Sequence, residues 1–317
     1  MQDALLVKVE GLYRYYDSHC AVEDVAFELH QGEILGFLGP NGAGKTSTMQ
    51  MLSGNLAPSA GRVFIAGVDI LEQPKRAKAA IGYLPEQPPL YPDLTVDEYL
   101  RYCAELHRVP RRGITAAVVQ AKERCGLKDT GARLIGNLSK GFQQRVGIAQ
   151  AILHSPKVVI LDEPTVGLDP IQIREIRGLI RELGREHGVI LSTHILPEVQ
   201  SVCTKVQIIH QGRLVFSDSL EGLSARMPVA SLTFACRSAP DAEEIREIDG
   251  VQAVEEIGAN RLRVRHAVER NPAEALAALA VRRKWGLLEL TPEQKSLEQI
   301  FVELTTGDET AAAEPRP

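Results

Sequence analysis

Gly39-Pro40-Asn41-Gly42-Ala43-Gly44-Lys45-Thr46, with Ser47 after it, has the spacing G-x-x-x-x-G-K-[ST]. Glycines let such a loop bend until successive backbone N–H groups converge on phosphate oxygens. A helix starting at Lys45 adds its positive amino-terminal end. Lys45 supplies a mobile point charge for the outer phosphates, and the Thr46 hydroxyl suits Mg²⁺. The motif points to nucleotide binding.

Two further segments bring groups that can act on a bound phosphate. Val158-Val159-Ile160-Leu161-Asp162-Glu163 is an apolar strand ending in two carboxylates. A strand buried on both faces must finish before it carries charge, so both acids belong at the sheet's carboxyl edge, where open α/β sheets bind ligands. Alternation would turn Asp162 toward Mg²⁺ and Glu163 toward an attacking water. Ser192-Thr193-His194 ends another buried strand on that edge. Alone, His194 reads as structural; beside the two acids, its imidazole can hydrogen-bond a terminal phosphate. A fourth segment, Leu138-Ser139-Lys140-Gly141-Phe142, opens a helix with Ser139 as N-cap and Gly141 allowing close approach. It makes a second anion-binding helix start, which suggests service to a partner's nucleotide.

The elements that must position these groups are legible from periodicity. Leu6–Glu10 and Ala26–Leu29 alternate like strands, Glu33–Leu38 is a continuous buried run, and Arg62–Ile65 reads as another strand. A helix follows the glycine loop from Lys45 to Leu52. Leu94 to Leu153 is mostly helical, opened by a Thr95/Glu98 capping box with Leu94 as a hydrophobic staple. Val158–Leu161 and Val189–Ser192 flank an amphipathic helix that starts at Asp169-Pro170, where Asp169 can equally be a plain cap. Strand, helix, strand implies a parallel α/β sheet.

The rhythm changes near Arg226-Met227-Pro228. Strands at Ala230–Ala235, Val251–Glu256, Arg261–Arg265 and Trp285–Leu290 alternate with helices at Asp241–Ile248 and after Asn271-Pro272, a βαββαβ order that suggests a small ferredoxin-like sandwich. A last helix is expected over Ser296–Leu304. The expected division is residues 1–225, 226–306 and a polar tail 307–317, with the second domain bracing the first or its dimer.

Composition excludes several classes. The chain has 317 residues, 44% apolar and 24% charged, which is ordinary for globular protein and suits about two domains. A net charge of −5 argues against nucleic acid as a partner. Five scattered cysteines form no C-x-x-C pair, so neither a zinc site nor a disulfide framework is indicated. No apolar run approaches the ~18–20 residues of a membrane span, and Met1–Glu10 lacks a signal-peptide core. The expected location is cytoplasmic.

The ordered set Gly39–Thr46, Leu138–Phe142, Leu161-Asp162-Glu163-Pro164, Gly167-Leu168-Asp169 and His194 resembles the ATP-binding subunit of ABC transporters, over about Leu6 to Ser217. The resemblance implies a P-loop ATPase of ABC type: a parallel-sheet core, an antiparallel β subdomain and a helical subdomain. It implies ATP and Mg²⁺, with Tyr16 stacking on adenine, although Tyr13 and Tyr15 compete. It makes Lys45, Glu163 and His194 catalytic, with Glu163 the general base. Gly39 through Ser47, Glu86, Ser139, Gly141 and Asp169 contact nucleotide, while Thr46, Asp162 and Glu86 hold the metal. Glu86 and Phe142 stand where the family usually carries glutamine, a pattern similar to export-type, ABC-2-like members. The implied partners are an ABC-2-type membrane permease and a second ATP-binding subunit, a homodimer being sufficient, at the cytoplasmic face of the membrane. A non-transport ATPase acting on ribosomes or DNA is the alternative; a single cassette without sustained heptads disfavours it.

Overall fold

The computed structural model describes residues 4–220, 222, 231–267, 269–292 and 301–302. The chain divides into two compact units, Met1–Leu220 and Glu221–Pro317, a few residues before the division expected from sequence.

In the first unit, β1 (Leu5–Tyr16), β2 (His19–His30), β4 (Ala60–Ile65) and β5 (Val68–Asp69) form an antiparallel sheet ordered β2-β1-β4-β5. A six-stranded sheet runs β10-β9-β3-β8-β7-β6, from β3 (Ile34–Leu38), β6 (Ile81–Leu84), β7 (Val158–Asp162), β8 (Gly188–Thr193), β9 (Lys205–His210) and β10 (Arg213–Ser219). Four of its five pairings are parallel, with β3 between β8 and β9; only the β10–β9 pair is antiparallel. Every residue of β3, β7 and β8 is buried. That explains their unbroken apolar sequence, since each faces helices or sheet on both sides. Phe37 is wholly buried and packs on Phe27 of the antiparallel sheet at 6.2 Å. Side chains of this kind contribute about 1.5–3 kcal/mol each, and a shared apolar cluster fuses the two sheets.

Helices stand where expected as α1 (Lys45–Leu52) after β3, α3 (Val96–Leu106), α4 (Arg111–Arg124) and α5 (Lys140–Ile152) before β7, and α6 (Pro170–Leu183) before β8; α7 (Leu196–Val202) after β8 and a short α2 (Pro74–Lys78) before β6 are additional. The Thr95/Glu98 box is formed: Thr95 N–H donates to Glu98 at 2.9 Å, and Glu98 N–H to Thr95 Oγ1 at 3.3 Å. The Thr95 backbone bond holds the Glu98 carboxyl below its ordinary value. All five cysteines are unpaired, four of them buried.

Several elements exceed the sequence reading. β1 continues to Tyr16, because register shifts between Val9, Leu12, Arg14 and Tyr15 scramble its alternation without ending its pairing. β6, the β9–β10 hairpin and α7 are short and carried no distinct period. β7 and β8 are each longer by a residue or two than expected, which carries Asp162 and Thr193 into the sheet.

The second unit pairs β11 (Ser231–Cys236), β12 (Val251–Gly258), β13 (Arg261–His266) and β14 (Leu287–Pro292) in the order β12-β13-β11-β14, all antiparallel. Numbered within the unit this is 2-3-1-4, the ferredoxin-like order. Helices Ala242–Arg246 and Ala273–Arg282 supply Ile245, Leu276 and Leu279 to a core with Leu232, Phe234 and Trp285. Trp285 precedes β14 rather than opening it. Its ring meets Phe234 edge-on at 6.3 Å, and its backbone N–H donates to Ala280 O at 3.0 Å. The expected terminal helix Ser296–Leu304, save Phe301 and Val302, and the tail 307–317 lie outside the described residues.

Candidate functional site

The glycine loop joins β3 to α1, so α1 points its amino end back at the sheet's carboxyl edge. Gly44, immediately before α1, has φ +103°, and a Cβ there would lie 2.4 Å from the Ala21 carbonyl oxygen. Only glycine fits that turn. No side chain caps α1 and no acid stands in its first turn. The start of this helix is left open to an anion.

Lys45 is buried. Its ammonium donates to Gly39 O at 2.8 Å and Pro40 O at 3.2 Å, and faces Glu163 Oε1 at 3.6 Å. Burial pulls its pKa below the ordinary lysine value, against the opposing pull of Glu163, Asp162 and Glu86. The ammonium is thus parked on its own loop, within reach of an incoming phosphate that would outbid neutral carbonyls.

Asp162 ends β7 at 1% exposure. Both its carboxylate oxygens lack a hydrogen-bond partner, and the neighbouring Ser192 hydroxyl does not reach hydrogen-bonding geometry. Burial pushes this carboxyl above its ordinary value, and Glu163 and Glu86 push the same way. A desolvated carboxylate with two free oxygens asks for a cation. The nearby donors are all hard oxygens, from Thr46, Asp162 and Glu86, which is the chemistry of Mg²⁺. Among the described residues no cluster of three or more His, Cys, Asp or Glu side chains stands ready to hold a metal.

Glu163 turns away from Asp162, but strand alternation is not the cause. β7 stops at Asp162, and Glu163 adopts a left-handed backbone with φ +48°. Such a conformation costs about 1 kcal/mol or more and persists where surrounding contacts enforce it. Here the Glu163 N–H is held by Ser192 O at 2.9 Å. The side chain meets His194 Nδ1 at 3.0 Å from each carboxylate oxygen. Glu163 and His194, from adjacent strands β7 and β8, are thereby joined directly.

One cavity of about 470 Å³ is lined by Ala21, Asn41, Gly42, Gly44, Lys45, Thr46, Ser47, Glu86, Glu163, Val166 and His194; Asp162, Gly39, Pro40 and Ala43 are not in its wall. The glycine loop, the acid, the histidine and Glu86 therefore meet, as expected. Ala21 and Val166 were not expected; nothing in their sequence context marks them. Tyr16 is outside the wall, its hydroxyl 3.3 Å from Ser47 Oγ, at the margin of the loop. Tyr13 and Tyr15 stack on each other at 6.3 Å.

Ser139, Gly141 and Asp169 do not line this cavity. Ser139 caps α5 through a long 3.5 Å bond from Phe142 N–H. Gly141 makes room for the Gln172 side chain, which a Cβ would approach to 2.4 Å. Asp169 caps α6, accepting from Ile171 N–H at 2.9 Å and Gln172 N–H at 3.0 Å. The cap that Asp169 offers in the sequence is formed.

The ABC transporter family profile matches residues 22–166. An uncharacterized ABC transporter ATP-binding protein of Bacillus subtilis, YdbJ, is 33% identical over 98% of this chain and 98% of its own length. The chain belongs to the ABC transporter ATP-binding subunits. The bacitracin transport ATP-binding protein BcrA of Bacillus licheniformis is 38% identical over 70% of this chain and 72% of its own. A solved structure of the ATP-binding subunit of an ABC transporter superposes with a TM-score of 0.64, at 31% identity, over 70% of this chain and 92% of that one. Members of this family hydrolyse ATP to power transport, and its subunits work as dimers with a membrane permease. None of these relatives supports a role on ribosomes or DNA. The ABC fold accounts for the first unit's two sheets and its helical insert between β6 and β7.

Proposed function

We propose that this subunit drives an ABC-2-type export permease as a homodimer on the cytoplasmic face of the membrane. Two copies close head to tail, each covering the other's ATP with the start of α5. The observation that carries the hydrolytic reading is the direct His194–Glu163 contact in the wall of the cavity built by the glycine loop.

In this reading Glu163 accepts a proton from the attacking water, and His194 orients both the carboxylate and the γ-phosphate. Lys45 leaves the Gly39 and Pro40 carbonyls for the outer phosphates, and the open start of α1 stabilises their charge. Thr46, Asp162 and Glu86 would hold Mg²⁺, which when bound neutralises charge on the transferring phosphoryl group. Tyr16 provides the adenine face, and Ser139, Gly141 and Asp169 serve the partner's nucleotide. In this reading the permease is a separate polypeptide; among the described residues no helix is long and apolar enough to cross a membrane. Export is supported by the Glu86 and Phe142 pattern and by likeness to a bacitracin transport protein. The second unit is an accessory domain.

Glu163→Gln keeps size and hydrogen bonding but removes the base. ATP affinity should stay within about twofold while turnover falls at least ~100-fold, and the closed dimer should accumulate with ATP on gel filtration. Wild-type hydrolysis by this variant would overturn the base assignment.

A further inference from the structure

Glu198 is a charged residue at 1% exposure that the phosphate chemistry leaves unused. It lies in the first turn of α7, and both its oxygens are engaged. Thr193 Oγ1 donates to Oε2 at 2.8 Å, Thr165 Oγ1 donates to Oε1, and Arg177 Nη2 stands 3.9 Å from Oε1. The two threonines are not arbitrary partners. Thr193 immediately precedes His194, and Thr165 follows Glu163 by two residues. The Thr193 hydroxyl also accepts the Ile195 N–H at 3.1 Å, so it fixes the backbone on both sides of His194. Beyond Glu163, Val166 N–H bonds Glu163 O at 3.3 Å and Leu168 N–H bonds Thr165 O at 3.2 Å, which makes Thr165 the anchor of that turn.

The His194–Glu163 contact is made between two loop segments leaving adjacent strands, one of them in a left-handed conformation that relaxes unless held. Only a short buried bridge can fix both. A carboxylate with two separate acceptor oxygens is suited to that task, because it takes one hydroxyl from each segment at once. We propose that Glu198 is a positioning residue: it clamps the Thr165 and Thr193 segments together and so keeps Glu163 and His194 in hydrogen-bonding contact at the cavity. This rests on the reading of Glu163 and His194 as the hydrolytic pair.

The test is steady-state ATP hydrolysis by the full chain carrying Glu198→Ala or Glu198→Gln. Displacing catalytic groups by about an ångström costs on the order of 10–100-fold, so Glu198→Ala should lower kcat by at least ~10-fold with KM for ATP unchanged within about twofold. Glu198→Gln should recover most of the rate, because its amide accepts one threonine hydroxyl and donates to the other. His194→Ala should cost less in the Glu198→Ala background than in the wild type. Wild-type kcat in Glu198→Ala, equal losses in the Ala and Gln variants, or additive losses with His194→Ala would each overturn the clamp. Should Glu198→Ala fail to fold, Thr165→Val and Thr193→Val remove one hydroxyl each at nearly constant volume. They should lower kcat alone, with a double-variant loss smaller than the product of the singles; loss of ATP affinity instead would count against the proposal. Glu163→Gln is assayed in parallel. Hydrolysis surviving that change overturns the reading of the site and the clamp with it, whereas its abolition beside an unaffected Glu198→Ala overturns the clamp alone.

Discussion

Two helices start at the carboxyl edge of the same sheet, and their first turns are finished in opposite ways. At α6 the Asp169 carboxylate accepts two backbone N–H groups and Pro170 removes a third donor, so the turn is closed by its own sequence. At α1 a left-handed glycine stands where a cap would be, no side chain caps the first turn, and that turn carries no acidic residue of its own. The start of α5 falls between them, capped only by a long, exposed Ser139 bond. The difference separates structure from function among features that share a geometry. A helix start that satisfies itself holds the fold, and one left unsatisfied waits for a ligand.

The strongest way to break this comparison is to remove the charge that accompanies the open start. Lys45→Ala should reduce ATP hydrolysis at least ~100-fold, as expected for loss of a group that stabilises transferring phosphate. Ser139→Arg should be comparably inactive, because it fills the start of α5. Mixing the two inactive variants should restore hydrolysis, since one of the two sites in a mixed dimer would pair an intact Lys45 with an intact Ser139. No recovery on mixing would mean that the half-capped helix serves no partner's nucleotide.

The other end of α5 leads into a half-buried ring. His154 follows the helix, stacks on His107 at 3.8 Å, and places Nε2 3.0 Å from Ile81 O, while Nδ1 is buried without a partner. Burial, with His107 and His187 adding to it, depresses its pKa to about 4. The ordinary value is about 6.5, so the unfolded chain takes up the proton first. Stability is therefore full above about pH 6.5 and is lost as pH falls toward 4. By linkage the loss at pH 5 is about 2 kcal/mol. Urea midpoints at pH 7.5 and 5 measure it, and His154→Phe, which keeps the stack without the proton, should flatten that difference.

Much of this was legible beforehand because it rests on short-range rules. The glycine loop, the apolar runs of β3, β7 and β8, and the Asp169 and Thr95 caps each follow from residue type at fixed spacing. The contact between Glu163 and His194 was legible only as a shared sheet edge. Its direction was not, because a left-handed Glu163 replaced the alternation that sequence suggests. The Glu198 clamp was invisible. Thr165, Thr193 and Glu198 become neighbours only once β7, β8 and α7 pack, and no local period announces a buried carboxylate. Ala21 is the same kind of case, since its backbone oxygen, not its side chain, sets the space at Gly44.

The smallest effect tests the closed member of the pair. Asp169→Ala removes the acceptor for two N–H groups and should lower stability by about 1 kcal/mol, while Asp169→Ser, which keeps a capping oxygen, should recover most of it. Because Asp169 does not line the cavity, ATP should raise the unfolding midpoint of Asp169→Ala by the same increment as in the wild type, at concentrations where the chain is monomeric. Lys45→Ala should lose that increment while keeping its unliganded stability nearer to wild type. The two variants thus move different quantities, one the baseline and the other the response to ligand. If Asp169→Ala abolished the ATP increment in the monomer, a capped start would be acting on the nucleotide of its own chain, and the division between self-satisfied and waiting helix ends would fail.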